Sequence, residues 1–158
     1  MKIGITRKTW IRTFVGSCRI AAAALLVLLL VPLAAQAQGS LGIGYTGMHD
    51  GQRGRVLVFN YRPDASHWDF SVGNISHTLN RDTSWAGVQY MIVDRDLFAG
   101  FGPALITRQT STLTSQYQFI TTFGWHHGHW ALAVRHLSNG GTRGDNVGEN
   151  LVTLAWQF

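Results

Sequence analysis

Past its first 37 residues the chain contains no cysteine and no lysine. Without a thiol there is neither a disulfide nor a cysteine nucleophile, so stability and chemistry must rest on other groups. Proline is nearly missing too, since Pro63 and Pro103 are the only two beyond residue 37. No stretch there has the spacing of a long amphipathic helix, and none has an apolar run long enough for a membrane-spanning one. A P-loop, a dinucleotide fingerprint and a calcium loop are likewise lacking. So is net charge. Five of the 13 Lys+Arg precede residue 38, which leaves eight arginines against 8 Asp+Glu and a balance of zero. The formal +5 of the whole chain belongs to its N-terminus and argues nothing for nucleic-acid binding.

That N-terminus has the composition of an export signal. Lys2, Arg7, Lys8, Arg12 and Arg19 precede an apolar run from Ile20 to Ala35, closed by Ala35-Gln36-Ala37. A basic region, an apolar region and an A-x-A site predict a secretory signal peptide over residues 1–37, cut after Ala37. A retained anchor is the alternative, for which the run is short. Cys18 lies before the apolar run and leaves with the signal. About 120 residues then remain, one domain's worth, spanning 38–158.

Turn residues divide that domain into eight segments with strand patterns, near 40–46, 55–61, 67–73, 84–92, 97–106, 117–125, 130–138 and 149–158. The gaps at 62–66, 93–96 and 126–129 are short, and those between them are mostly longer and more polar. An even strand number with alternating short and long connections predicts an all-β fold, an eight-stranded antiparallel transmembrane barrel of the bacterial outer membrane. Val152, Leu154, Trp156 and Phe158 alternate to a terminal aromatic, which resembles the last strand of such barrels. A soluble periplasmic sandwich or lipocalin-like barrel alternates as well, and is the competing architecture.

The segment with most chemistry is 130–139. Side chains alternate between the faces of a strand, so Trp130, Leu132, Val134, His136 and Ser138 share one face. A base and a hydroxyl thus continue an apolar stripe. On a membrane barrel that stripe faces lipid, where unused polar groups are costly. His136 and Ser138 lie about 6.5–7 Å apart at the backbone, which lets their side chains converge into a base–nucleophile hydrogen bond. His-x-Ser is by itself a common pattern, and two polar residues at headgroup level are harmless.

Other features are less pointed. His126-His127-Gly128-His129 has metal-ligand residue types but no carboxylate beside it, so no metal site is expected. Trp85, Trp125, Trp130 and Trp156 suit interfacial belts. Arg53, Arg55, Arg81, Arg108 and Arg143 lie in or beside the longer connections, placed either to meet lipid phosphates or simply to be solvated.

The segment His136-Leu137-Ser138-Asn139-Gly140-Gly141, followed by Asn146-Val147-Gly148-Glu149-Asn150, resembles the H-x-S-N…N-x-G-x-E region of the lipid A 3-O-deacylases, the PagL family. The resemblance implies an outer-membrane barrel that hydrolyses an ester-linked acyl chain of lipopolysaccharide, with a Ser/His-based mechanism and no cofactor. It implies Ser138 as nucleophile, His136 as base, Asn139 near the oxyanion, and Asn146 in the supporting loop. The family's acid position falls on Asn150, with Glu149 one residue early. On a strand one residue is a change of face, so Asn150 shares the lipid side with His136. Glu149 reaches that side only through a bulge after Gly148. Either residue remains a candidate third member. A non-catalytic small barrel, in which His136 and Ser138 are incidental, is the alternative function.

Overall fold

The computed structural model describes residues 37–158 apart from 48–52, 78–81 and 143–146. Eight strands follow one another: β1 (Ala37–Gly47), β2 (Arg53–Pro63), β3 (Trp68–His77), β4 (Thr83–Asp94), β5 (Leu97–Ile106), β6 (Tyr117–His127), β7 (Trp130–Ser138) and β8 (Glu149–Gln157). Each pairs antiparallel with the next, and β1 pairs with β8 to close the barrel. Closure leaves no edge strand, so every ladder is satisfied internally. The short turns gather at one end with the chain termini of the barrel, and the longer connections at the other.

Alternation sorts the side chains as the apolar patterns require. Leu41, Ile43, Leu57, Phe70, Val72, Phe101, Phe123, Leu132, Val134, Val152 and Leu154 all face outward and are exposed. So large an apolar exterior is unfavourable against water and suited to hydrocarbon. The interior is packed in its long-loop half, and its short-turn half holds a cavity of about 560 Å³ lined by Asn60, Asp69 and Arg135 among others. Val56, Val58, Ile75, Trp85, Ile120, Leu137 and Leu151 pack in the long-loop half. Toward the short-turn end, polar pairs join the apolar ones. Thr122 donates to Gln89 at 2.6 Å, and Arg135 donates to Thr153 at 2.6 Å and to Asn60 at 3.1 Å.

Two expectations need correction. β3 continues past Gly73 to His77, because Gly73 is a socket rather than a strand end. The Trp85 indole lies where a Cβ at Gly73 would be. Trp85 is accordingly buried inside the barrel, not set in an interfacial belt, whereas Trp125, Trp130 and Trp156 do face outward.

The closing seam is tight. A Cβ at Gly44 would fall on the carbonyl oxygen of Val152, a backbone atom of β8 that cannot turn aside. Gly44→Ala is therefore expected to cost about 3 kcal/mol or more, above ordinary overpacking. Loss of the heat-sensitive, fast-migrating folded band in unheated gel samples is the measurement; retention of that band in full contradicts the expectation.

Candidate active site

Strands β6, β7 and β8 form the wall that carries the candidate residues. Thr121 pairs with His136, His136 with Asn150, and Phe119 with Ser138. These outward positions surround one polar patch in a wall otherwise made of Phe119, Phe123, Val134 and Val152. His136 and Ser138 are half-buried there.

The imidazole is held on two sides. Its Nδ1 lies 2.9 Å from Asn150 Oδ1. An amide oxygen only accepts, so Nδ1 carries the proton and Nε2 keeps the lone pair that a base needs. On the other side the ring rests against Gly148. A Cβ built on Gly148 would come within 2.7 Å of His136 Cε1 and 2.9 Å of Nε2. Gly148 also has a φ of +75°, which a side chain would strain. It lies one residue beyond the Leu137–Glu149 pair, toward Ser138, so Nε2 is turned to the end of the strand that carries the hydroxyl.

Ser138 Oγ accepts the N–H of Gly140 at 3.0 Å. Among the described residues no hydrogen bond joins His136 to Ser138, so the expected convergence is not made in this state. The chain then turns tightly. Gly140 and Gly141 have φ of +63° and +74°, and the Thr142 N–H donates to the Asn139 carbonyl at 3.1 Å. Positive φ at both central residues is the backbone that glycine pairs supply in hairpin turns.

Asn139 is not on the patch. Its side chain is inside, 1% exposed, and its Oδ1 accepts the Gly141 N–H at 2.9 Å. The Asn139 side chain is thus turned away from the outer patch, and the amide that meets Ser138 Oγ is that of Gly140. The sequence holds a signal for this in Gly140-Gly141, read only as part of a resemblance.

Glu149 does not reach His136 either. No bulge follows Gly148: the register runs on from Leu137–Glu149 to His136–Asn150. Alternation then sends the carboxylate inward, where it is 1% exposed. There Thr112 Oγ1 donates to Oε1 at 2.7 Å, and His77 Nε2 lies 3.3 Å from the same oxygen. Of the two candidates, only Asn150 touches the imidazole. Asn146 falls outside the described residues.

The three turn histidines do not converge. His126 stacks on Phe98, His127 on Trp125, and His129 on Trp156 with its Nδ1 3.0 Å from the Gln157 carbonyl. Arg53 and Arg55 are exposed on β2, at the long-loop end, and Arg108 is exposed in the connection between β5 and β6. Arg81 and Arg143 lie outside the described residues.

Neither a protein-family model nor a curated protein sequence matches the chain. Among solved structures it is similar to one titled the crystal structure of the outer membrane enzyme PagL, with 15% identity over 77% of this chain and 98% of that one, at a TM-score of 0.47.

Proposed function

We propose that the protein is an outer-membrane esterase that removes an ester-linked acyl chain from lipid A of lipopolysaccharide, the 3-O chain by resemblance. One observation carries the reading: a hydrogen-bonded His136–Asn150 pair, with Ser138 in line, on the apolar outer wall of a closed barrel. An imidazole oriented by a third group next to a hydroxyl is the minimum for an activated serine. A water-soluble barrel has no use for such an exterior, and a lipid ester is the substrate that lies alongside it. The match of residues 136–150 to the deacylase motif supports the same chemistry. Export by a signal peptide over residues 1–37 fits it, and Arg53 and Arg55 suit a phosphorylated headgroup.

In this mechanism His136 Nε2 takes the Ser138 proton as Oγ bonds to the acyl carbonyl carbon. The Gly140 N–H, which donates to Oγ before reaction, turns from it to the neighbouring carbonyl oxygen and stabilises the oxyanion there. Collapse breaks the bond to the sugar oxygen, which receives the proton from His136. Water then attacks the acyl-enzyme and frees the fatty acid. Asn150 keeps Nδ1 protonated throughout, but lends no charge to the imidazolium.

That last point is testable by substitution. Asn150→Asp is expected to raise turnover severalfold, because a carboxylate stabilises the imidazolium at the same position. Asn150→Leu is expected to lower it about a hundredfold by freeing the ring. Both are read as deacylation of lipid A by the purified protein in detergent, and two unaltered rates contradict the role of Asn150. For the function as a whole, lipid A is weighed by mass spectrometry from cells with and without the protein, alongside membrane fractionation. The expected product is lighter by one hydroxyacyl chain. An identical acylation pattern favours the non-catalytic barrel, and recovery in the soluble fraction favours the periplasmic ligand-binding one.

A further inference from the structure

The inner side of the wall behind His136 is as organised as the outer side, and the proposed reaction does not use it. The segment joining β5 and β6 folds back into the long-loop mouth of the barrel. Ile106 N–H donates to the Gln116 carbonyl and Thr107 N–H to the Ser84 carbonyl, while Leu113 is fully buried in the core. This brings Thr112 against the start of β8, where it holds two consecutive residues. Its carbonyl accepts the Gly148 N–H at 3.1 Å, and its Oγ1 donates to Glu149 Oε1 at 2.7 Å.

The donors have a direction. A carboxylate only accepts, so the Thr112 hydroxyl proton points to Glu149, and Thr110 Oγ1, 3.0 Å from Thr112 Oγ1, must point its proton at Thr112. Thr110 Oγ1 in turn accepts the Leu113 N–H at 3.0 Å. Chained hydrogen bonds of this kind polarise and stiffen one another. Thr46 of β1 donates to the other oxygen of Glu149 at 3.4 Å. His77 Nε2 of β3 lies 3.3 Å from Oε1 but is not in line for a hydrogen bond. The carboxylate is thus held by hydroxyls from two elements other than its own.

Gly148 and Glu149 are the residues that precede Asn150. One is the surface on which the imidazole rests, and the other fixes the backbone from which Asn150 projects outward. We infer that Thr112 and Glu149 are positioning residues: an interior clamp that sets the ring of His136 through Gly148 and Asn150 without touching it. The effect on turnover rests on the esterase reading; the effect on the ring does not.

Thr112→Val keeps the side chain's shape and removes the donor, while Thr112→Ser keeps the donor. Both proteins, full length and folded in detergent micelles, are compared with wild type by nitrogen NMR of the His136 ring and by lipid A deacylation kinetics. Thr112→Val is expected to convert a single Nδ1-protonated tautomer into a mixture and to lower kcat about ten- to a hundredfold, with KM held within about twofold. Thr112→Ser is expected to restore both. Should Thr112→Val fail to give a folded band, Glu149→Met, which keeps the length of the side chain and removes both acceptors, is read in its place and predicts the same ring change. Unchanged ring signals overturn the clamp, whether or not kcat falls. Changed ring signals in a protein without deacylase activity keep the clamp and reject the esterase.

Discussion

Ser138→Ala is expected to abolish deacylation while leaving the barrel folded. If the hydroxyl is the nucleophile, its loss removes covalent catalysis altogether, and losses on the order of 10⁴-fold or more accompany such changes. The structural cost is small. Ser138 Oγ accepts one hydrogen bond, from the Gly140 N–H, and that amide is exposed at a turn. His136→Ala is expected to lose nearly as much, since nucleophile and base act as one unit and their contributions do not add. The measurement is the rate of fatty-acid release from lipid A in detergent, with the unheated gel band as the control for folding. Release by Ser138→Ala at the wild-type rate defeats the mechanism, and with it the proposed reaction.

Gly148→Ala is expected to silence the enzyme from a position that contacts no substrate. The added methyl would come within 2.7 Å of both His136 Cε1 and the Leu137 carbonyl oxygen. The carbonyl belongs to a strand and cannot yield, so the backbone at residue 148 must shift, and the ring that rests on it is displaced. A φ of +75° adds about 1–2 kcal/mol of strain for any residue with a Cβ. Moving the imidazole by about 1 Å breaks its alignment with both Asn150 and the hydroxyl, and displacements of that size cost about a hundredfold. The result sought is a folded barrel with turnover lowered at least that far. Wild-type activity in Gly148→Ala means that the ring does not rest where the geometry has it.

These two positions differ in how they show themselves in the sequence. Ser138 is visible because alternation from Trp130 puts it on a defined face. Gly148 is visible only as a letter in a motif; its purpose is a contact between β8 and a ring on β7. The face of Asn150 follows from parity alone, counting back from Val152. That Glu149 stays inside depends on an unbroken register after Gly148, and a bulge there is a tertiary matter. Thr112 carries no sequence signal at all. It belongs to a polar Ser/Thr-rich connection, and only the fold of that connection into the barrel mouth brings it to Glu149. Trp85 departs from the belt expectation for a related reason. Period-two patterning tells which residues share a face, and a Gly73 socket on the next strand decides which face takes an indole.

What the chain determines alone is therefore what depends on neighbours along it: strand number, the sorting of side chains to two faces, the rhythm of short and long connections, and the file from Trp130 to Ser138. What the tertiary structure decides is everything set by contact across strands: the hydrogen bond between His136 and Asn150, the seat of the His136 ring on Gly148, and the interior grip on Glu149. The division has a physical cause. Alternation is a local property of an extended backbone, whereas register and loop packing are fixed by residues far apart in sequence that meet only when the barrel closes.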